Sequence, residues 1–218
     1  MATLKKYDMS GKEVGHVQVD DALLEIAAHP QSIKDYIVAI RYNARQWSAN
    51  TKTRAQINRT GKKPHPQKGQ GRSRQGDLAA PHYKGGGIVF GPKPKFDVSI
   101  RINKKEKRAA IRYMIAEKIK SGRVHVLKNE ELKAPKTSKM AEFFEKTPCG
   151  VKRTLIVGEA KKEMEMPNMN LMKSVRNLPK KEFVPLSQVN GYSLALCQDI
   201  VVLDSAWDEL LAMLGGGA

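Results

Sequence analysis

Between Ser48 and Gly87 the chain holds only three of the larger apolar residues, Ile57, Leu78 and Tyr83. A stretch so poor in apolar surface cannot offset the entropy of ordering its own backbone. Eight glycines from Gly61 to Gly91, with Pro64, Pro66, Pro81, Pro92 and Pro94 among and just after them, rule against a helix or a long strand. A loop of this length inside a compact domain needs a reason, either a function or a partner that orders it. We therefore read residues 48–100 as an extended arm inserted into a single α/β domain spanning 1–218.

On both sides of the arm hydrophobic periodicity returns. Met9-Ser10-Gly11-Lys12 separates two short alternating runs and predicts an N-terminal hairpin. Ile33, Ile37, Ile40 and Ala44 place a helix over Gln31 to Trp47, and Asn103 to Ser121 reads as a helix closed by Gly122. Strand and helix patterns then alternate: strands at Val124 to Leu127, Thr154 to Val157, Glu182 to Leu186 and Ile200 to Leu203. The intervening helices are Thr137 to Lys146, Met169 to Val175 and Ser187 to Leu196, with a closing one from Ala206 to Leu214. Short apolar strands between helices imply a mostly parallel sheet covered on both faces, a three-layer α/β/α domain. With 218 residues, such a core needs no covalent staples.

The charge follows the same division. From Arg45 to Arg112 there are 18 Lys and Arg against 3 Asp and Glu, a net of +15, while the rest of the chain carries +2 of the total of +17. The partner is a polyanion, and nucleic acid is the first candidate. The densest block runs from Gly61-Lys62-Lys63 to Lys68-Gly69-Gln70-Gly71-Arg72-Ser73-Arg74. Its cations can neutralise phosphates while its glycines let backbone amides approach a sugar-phosphate chain. A solvated basic loop is the alternative, but such a run belongs more naturally at a terminus than inside a folded domain.

Further on, Tyr83, Phe90 and His82 can stack on unpaired bases, which irregular RNA offers more readily than duplex DNA. For Ile88, Val89 and Phe90 the favoured reading is return to the core. The helix after Asn103 opens with Lys104, Lys105, Lys107, Arg108 and Arg112 against a single Glu106. Cations at a helix N-terminus oppose its dipole, so phosphates bound there are the reading favoured over a solvated basic face.

Catalytic and cofactor signals are weak. The five histidines, His16, His29, His65, His82 and His125, have no paired spacing with Cys149, Cys197 or a carboxylate, so no metal site and no disulfide scaffold is expected. Gly69-Gln70-Gly71 lacks the rest of a dinucleotide fingerprint, and there is no phosphate-binding GxxxxGK[ST]; no cofactor is expected. Asp204 follows a strand, where α/β enzymes place functional carboxylates, but Ser205-Ala206-Trp207-Asp208 is a capping box, and helix start is the favoured reading. Met164, Met166, Met169 and Met172 read as packing residues. Neither a secretory signal, a lipidation motif nor a membrane span is found, and the chain reads as soluble and intracellular, with 214–218 as a frayed end.

The run Lys68-Gly69-x-Gly71-Arg72-x-Arg74, the block Gly85-Gly86-Gly87-Ile88-Val89-Phe90-Gly91-Pro92-Lys93-Pro94 and the Lys-rich helix that follows resemble the bacterial form of the universal large-subunit ribosomal protein L-four family. The resemblance covers essentially the whole chain. It implies a structural, non-enzymatic constituent of the large ribosomal subunit, located in the cytoplasmic ribosome, that binds rRNA early in assembly and contacts several rRNA domains. It further implies that the arm's tip, Gln67, Lys68 and Gly69, lines the peptide exit tunnel near the nascent peptide and the L-twenty-two family protein. No membrane is involved. Residues expected to bind rRNA are Arg54, Arg59, Lys62, Lys63, Lys68, Arg72 and Arg74, then Tyr83, Lys84, Gly85, Gly86, Lys93 and Lys95, then Lys104, Lys105 and Arg108. Two positions depart from the family pattern: His65-Pro66 stands where Trp-Arg is common, and Gln70 where Thr is usual. The competing functions are an RNA-directed α/β enzyme that uses the arm as a clamp and a regulatory module that binds messenger RNA.

Overall fold

A computed structural model describes the whole chain except residues 95–98, 129–131, 133, 160–167 and 216–218. Lys95, Met164, Met166 and the last three residues of the tail lie outside the described residues. The chain divides into two compact units, one of Met1–Arg41 with Arg101–Ala218, the other of Tyr42–Ile100.

The first unit is built on a six-stranded sheet. Strands β1 (Ala2–Tyr7) and β2 (Glu13–Val19) form the expected hairpin, turned by Gly11 at φ +79°. Strands β3 (Val124–Leu127), β4 (Thr154–Gly158), β5 (Lys181–Pro185) and β6 (Asp199–Leu203) complete the order β2-β1-β3-β6-β4-β5. Only the hairpin is antiparallel; every other pairing is parallel. Strands β3, β4 and β6 are buried along their whole length, which is why they read as unbroken apolar runs.

The helices are α1 (Pro30–Asn43), α2 (Lys104–Lys120), α3 (Thr137–Lys146), α4 (Met169–Arg176), α5 (Gly191–Leu196) and α6 (Trp207–Leu214). Helices α3 and α4 pack on each other, while α2 packs on α5 and α6. The chain moves outward from β3 to β4 to β5 and then returns from β5 to β6. Right-handed crossovers put the returning helix α5 on the face opposite α3 and α4, so the sheet is covered on both sides. Phe143 and Met140 of α3, Ile115 and Ile119 of α2, and Leu210 of α6 fill the core against β3, β4 and β6.

Three elements differ from the sequence expectation by more than one residue at an end. Helix α1 stops at Asn43 instead of Trp47; the Trp47 ring instead packs on Tyr42 at 4.8 Å between centroids, with the Arg45 guanidinium over it. The helix expected over Ser187 to Leu196 is split, because Asn190 caps a fresh start with its side-chain oxygen accepting from the Ser193 amide at 2.8 Å. Helical backbone before α6 begins at Asp204, in a 3-10 turn, one residue ahead of the expected serine cap.

Candidate nucleic-acid interface

Apart from the end of α1, the described residues of the second unit contain no helix or strand, as the glycine and proline spacing requires. Their order comes from tertiary hydrogen bonds instead. At the base, Asn43 acts as a strand mimic: its side-chain amide donates to the Ile100 carbonyl at 3.0 Å and its oxygen accepts from the Ile100 amide at 2.8 Å. Higher up, the Thr51 amide donates to the Pro92 carbonyl and the Ile88 amide to the Lys52 carbonyl, both at 3.0 Å.

The glycine triplet has an internal purpose. The Gly87 amide donates to the Ala79 carbonyl at 2.9 Å, and a Cβ at this position would lie 2.1 Å from the Arg54 backbone nitrogen. At Gly86 a Cβ would lie 2.0 Å from the Ala80 carbonyl oxygen. Two backbone segments thus meet at a distance that no side chain permits. Arg59 braces the same junction by donating to the carbonyls of Leu78 at 2.8 Å and Lys84 at 3.0 Å.

The cations of this unit fall into two groups. Arg59 is committed to the brace, Lys63 donates to the side chain of Gln67, and Lys93 donates to Gln56 at 2.6 Å. Lys52, Arg54, Lys62, Lys68, Arg72, Arg74 and Lys84 are all exposed, with no side-chain hydrogen bond or ion pair among the described residues. Arg45 makes only its contact with the Trp47 ring. Charges left without a partner among the described residues can meet an external anion.

Around the tip, Gln67, Lys68 and Gly69 are exposed, and Gly69 and Gly71 turn the chain at φ +85° and +59°. Behind them His65 contacts the Ser73 carbonyl at 2.9 Å and Tyr83 stacks on His82 at 4.5 Å between centroids. Pro64, His65, Arg72, Ser73, Gln75 and Tyr83 surround a hollow of about 410 Å³. Tyr83 is therefore half-buried as one wall of that hollow, while Ile88, Val89 and Phe90 do not return to the core. All three are exposed, Phe90 completely, which corrects the sequence expectation.

In the first unit, Lys104, Lys105, Lys107 and Arg108 are exposed on the opening turns of α2. The Asn103 side chain gives no cap; its amide donates to Glu106 at 3.2 Å instead, so no side chain among the described residues satisfies the first amides of this helix. At the carboxyl end of β6, both oxygens of Asp204 accept from the Lys6 ammonium at 2.8 Å. Two hollows of this unit, of about 570 and 460 Å³, open beside Lys152 at the amino ends of the parallel strands, away from that carboxylate.

One cluster had no counterpart in the sequence reading, because its members come from three segments. Donor atoms of His125, Cys149 and Asp199, all buried, lie within 4.8 Å of one another. Their types suit a transition metal, but Lys152 already meets the Asp199 carboxylate at 3.1 Å. Burial pushes the Cys149 thiol up to about 12 and lowers the His125 imidazole, so both are neutral near pH 7.

The chain matches the model of the ribosomal protein L4/L1 family over residues 17–213. It is similar to the large ribosomal subunit protein uL4 of Desulforudis audaxviator, 36% identical with 89% of this chain and 90% of the relative covered. Those of Lachnospira eligens and Lachnoclostridium phytofermentans are 34% and 32% identical, covering 96% and 94% of this chain and 98% and 96% of the relatives. A match of this length, spanning both the α/β unit and the basic loop, shows that the chain belongs to the ribosomal protein L4/L1 family.

Proposed function

We propose that this protein is a structural constituent of the large ribosomal subunit and that it binds rRNA through an arm, 48–100, inserted into its α/β domain. The observation that carries this is the set of exposed, unpartnered cations on a segment whose other cations are used to fold it. Lys52, Arg54, Lys62, Lys68, Arg72, Arg74 and Lys84 face phosphates; Arg59, Lys63 and Lys93 hold the arm in the shape that presents them. Lys104, Lys105 and Arg108 place further phosphates at the opening turns of α2. Tyr83 offers a ring face at the hollow, and Gly85 and Gly86 set the turn beside it.

In this reading the protein joins rRNA early in assembly, the arm contacts several rRNA domains, and Gln67, Lys68 and Gly69 line the exit tunnel next to the L-twenty-two family protein and the nascent peptide. Its place is the cytoplasmic ribosome. The role is not enzymatic: Asp204, the carboxylate best placed for chemistry, is held by Lys6 at the start of a helix. Two measurements test this. On a gradient of cell lysate the protein travels with the large subunit. Deletion of residues 48–91 leaves the first unit folded on its own core but abolishes most of the affinity for large-subunit rRNA. If the deletion leaves affinity and salt dependence unchanged, the proposal is wrong.

A further inference from the structure

Among the described residues Phe90 is the most exposed large apolar side chain, at 103% of its reference area, flanked by Val89 at 56% and Ile88 at 51%. Its backbone sits at φ +54°, in the left-handed region that residues with a Cβ adopt only at a cost. Both features are imposed by the surrounding hydrogen bonds. The Ile88 amide is tied to the Lys52 carbonyl, while the Pro92 carbonyl accepts from the Thr51 amide at 3.0 Å and from the Thr51 hydroxyl at 3.1 Å. On one side the anchors are adjacent residues; on the other they are four apart. Val89, Phe90 and Gly91 must therefore bulge outward.

Gly91 locks the bulge, since a Cβ there would lie 2.2 Å from the Thr51 hydroxyl oxygen. The chain thus maintains a strained backbone that holds an aromatic ring in water, and the two costs are not repaid among its own described residues. Lys52 sits on the segment opposite and Arg54 two residues beyond it, both exposed and without a side-chain partner among the described residues. A flat apolar face on a cation-rich segment matches a nucleobase attached to a phosphate chain. Bases in a duplex are already stacked, so the match is to one that is unpaired.

We propose that Phe90 is a stacking platform for one unpaired base of the RNA that the arm binds. This rests on the rRNA-binding reading above and adds a contact made through the ring rather than through charge. Stacking has a signature that distinguishes it from phosphate contact: it changes affinity without changing the salt dependence, because no counterion is released.

The test uses the full-length protein and a transcript of the large-subunit rRNA, with affinity measured by filter binding over a series of KCl concentrations. Phe90→Ala and Phe90→Leu should each weaken binding about 5- to 100-fold with an unchanged salt slope, and Phe90→Trp should restore it to within about 3-fold. The side chain is exposed, so the variants leave the fold intact; unchanged amide exchange at Thr51 and Ile88 checks that the bulge persists. If Phe90→Leu binds as well as the native protein, the ring face is not used. If Phe90→Ala does so too, the residue touches no RNA, and its apolar surface serves a protein contact instead. Failure of the native protein to bind rRNA with steep salt dependence overturns the parent reading rather than this one.

Discussion

Replacing Lys68, Arg72 and Arg74 together by glutamine tests whether the unpartnered cations of the arm meet phosphates, and the structure sets the size of the effect. Eight cations of the second unit, Arg45, Lys52, Arg54, Lys62, Lys68, Arg72, Arg74 and Lys84, are exposed and without a hydrogen bond or ion pair among the described residues. Each phosphate neutralised contributes about 0.7 to 0.9 to the slope of log affinity against log salt, depending on whether the RNA is single- or double-stranded. If all eight are engaged, the slope is about −6 to −7. The affinity then falls about 10⁴-fold between about 50 and about 200 mM salt.

Removing three of the eight should reduce that slope by about 2 to 3, so the same change in salt costs the variant on the order of 10²- to 10³-fold. The three side chains are exposed and make no hydrogen bond or ion pair among the described residues, so loss of folding does not confuse the readout. Fluorescence anisotropy of a labelled rRNA fragment, titrated at four or five salt concentrations, gives the slope directly. A slope that the triple substitution leaves unchanged refutes the assignment of these side chains to phosphates. A native slope shallower than about −2 refutes the charge argument as a whole.

The other predictions concern the scaffold. Gly87→Ala forces a Cβ against the Arg54 backbone and should destabilise the second unit by about 1 to 3 kcal/mol, read as faster amide exchange over residues 79–88; unchanged exchange would show that the junction is not tight. Cys149 keeps its proton to about pH 12 when folded but to only about 8.5 when unfolded. Its contribution to stability is therefore intact below the unfolded value and is lost as pH rises above it, by up to about 1.4 kcal/mol per pH unit. Denaturant midpoints at pH 8 and pH 10 should differ more for the native protein than for Cys149→Ala, and equal differences would sink the idea. Asp204→Asn removes an ion pair whose partners are both partly solvated, so it should cost no more than about 1 kcal/mol and leave rRNA affinity unchanged; a large loss of affinity would give this carboxylate a role in binding.

How much of this was legible in the sequence depended on what kind of force fixes each part. The strand Val124–Leu127 and the helix Thr137–Lys146 lie where periodicity puts them, and α2 differs from expectation by one residue at each end. Their boundaries are set by burial against a core, and burial leaves a periodic trace. The helix ending at Asn43 was overrun because Ala44 and Trp47 continue its spacing, although the Trp47 ring is spent on Tyr42 instead. Nothing in the spacing distinguishes those two destinations. The cluster of His125, Cys149 and Asp199 was invisible for a different reason, since it exists only once the strand register brings three distant segments together.

On the arm, the sequence identified which residues carry charge but not how they divide. Arg59 and Arg54 are equivalent by composition; what separates them is that two carbonyls lie within reach of the Arg59 guanidinium. Phe90 shows the limit most sharply. Hydrophobicity states that a side chain gains by leaving water, and inside one chain the default recipient is that chain's own core. Here the core is already filled by residues of the first unit, and the hydrogen bonds of Thr51, Ile88 and Pro92 turn the ring outward. A ring that these hydrogen bonds hold in solvent is not covered by its own chain's described residues and stays open to a partner. In a segment this rich in unpaired positive charge, the partner we propose is a polyanion with an apolar face, and RNA with an unpaired base has both.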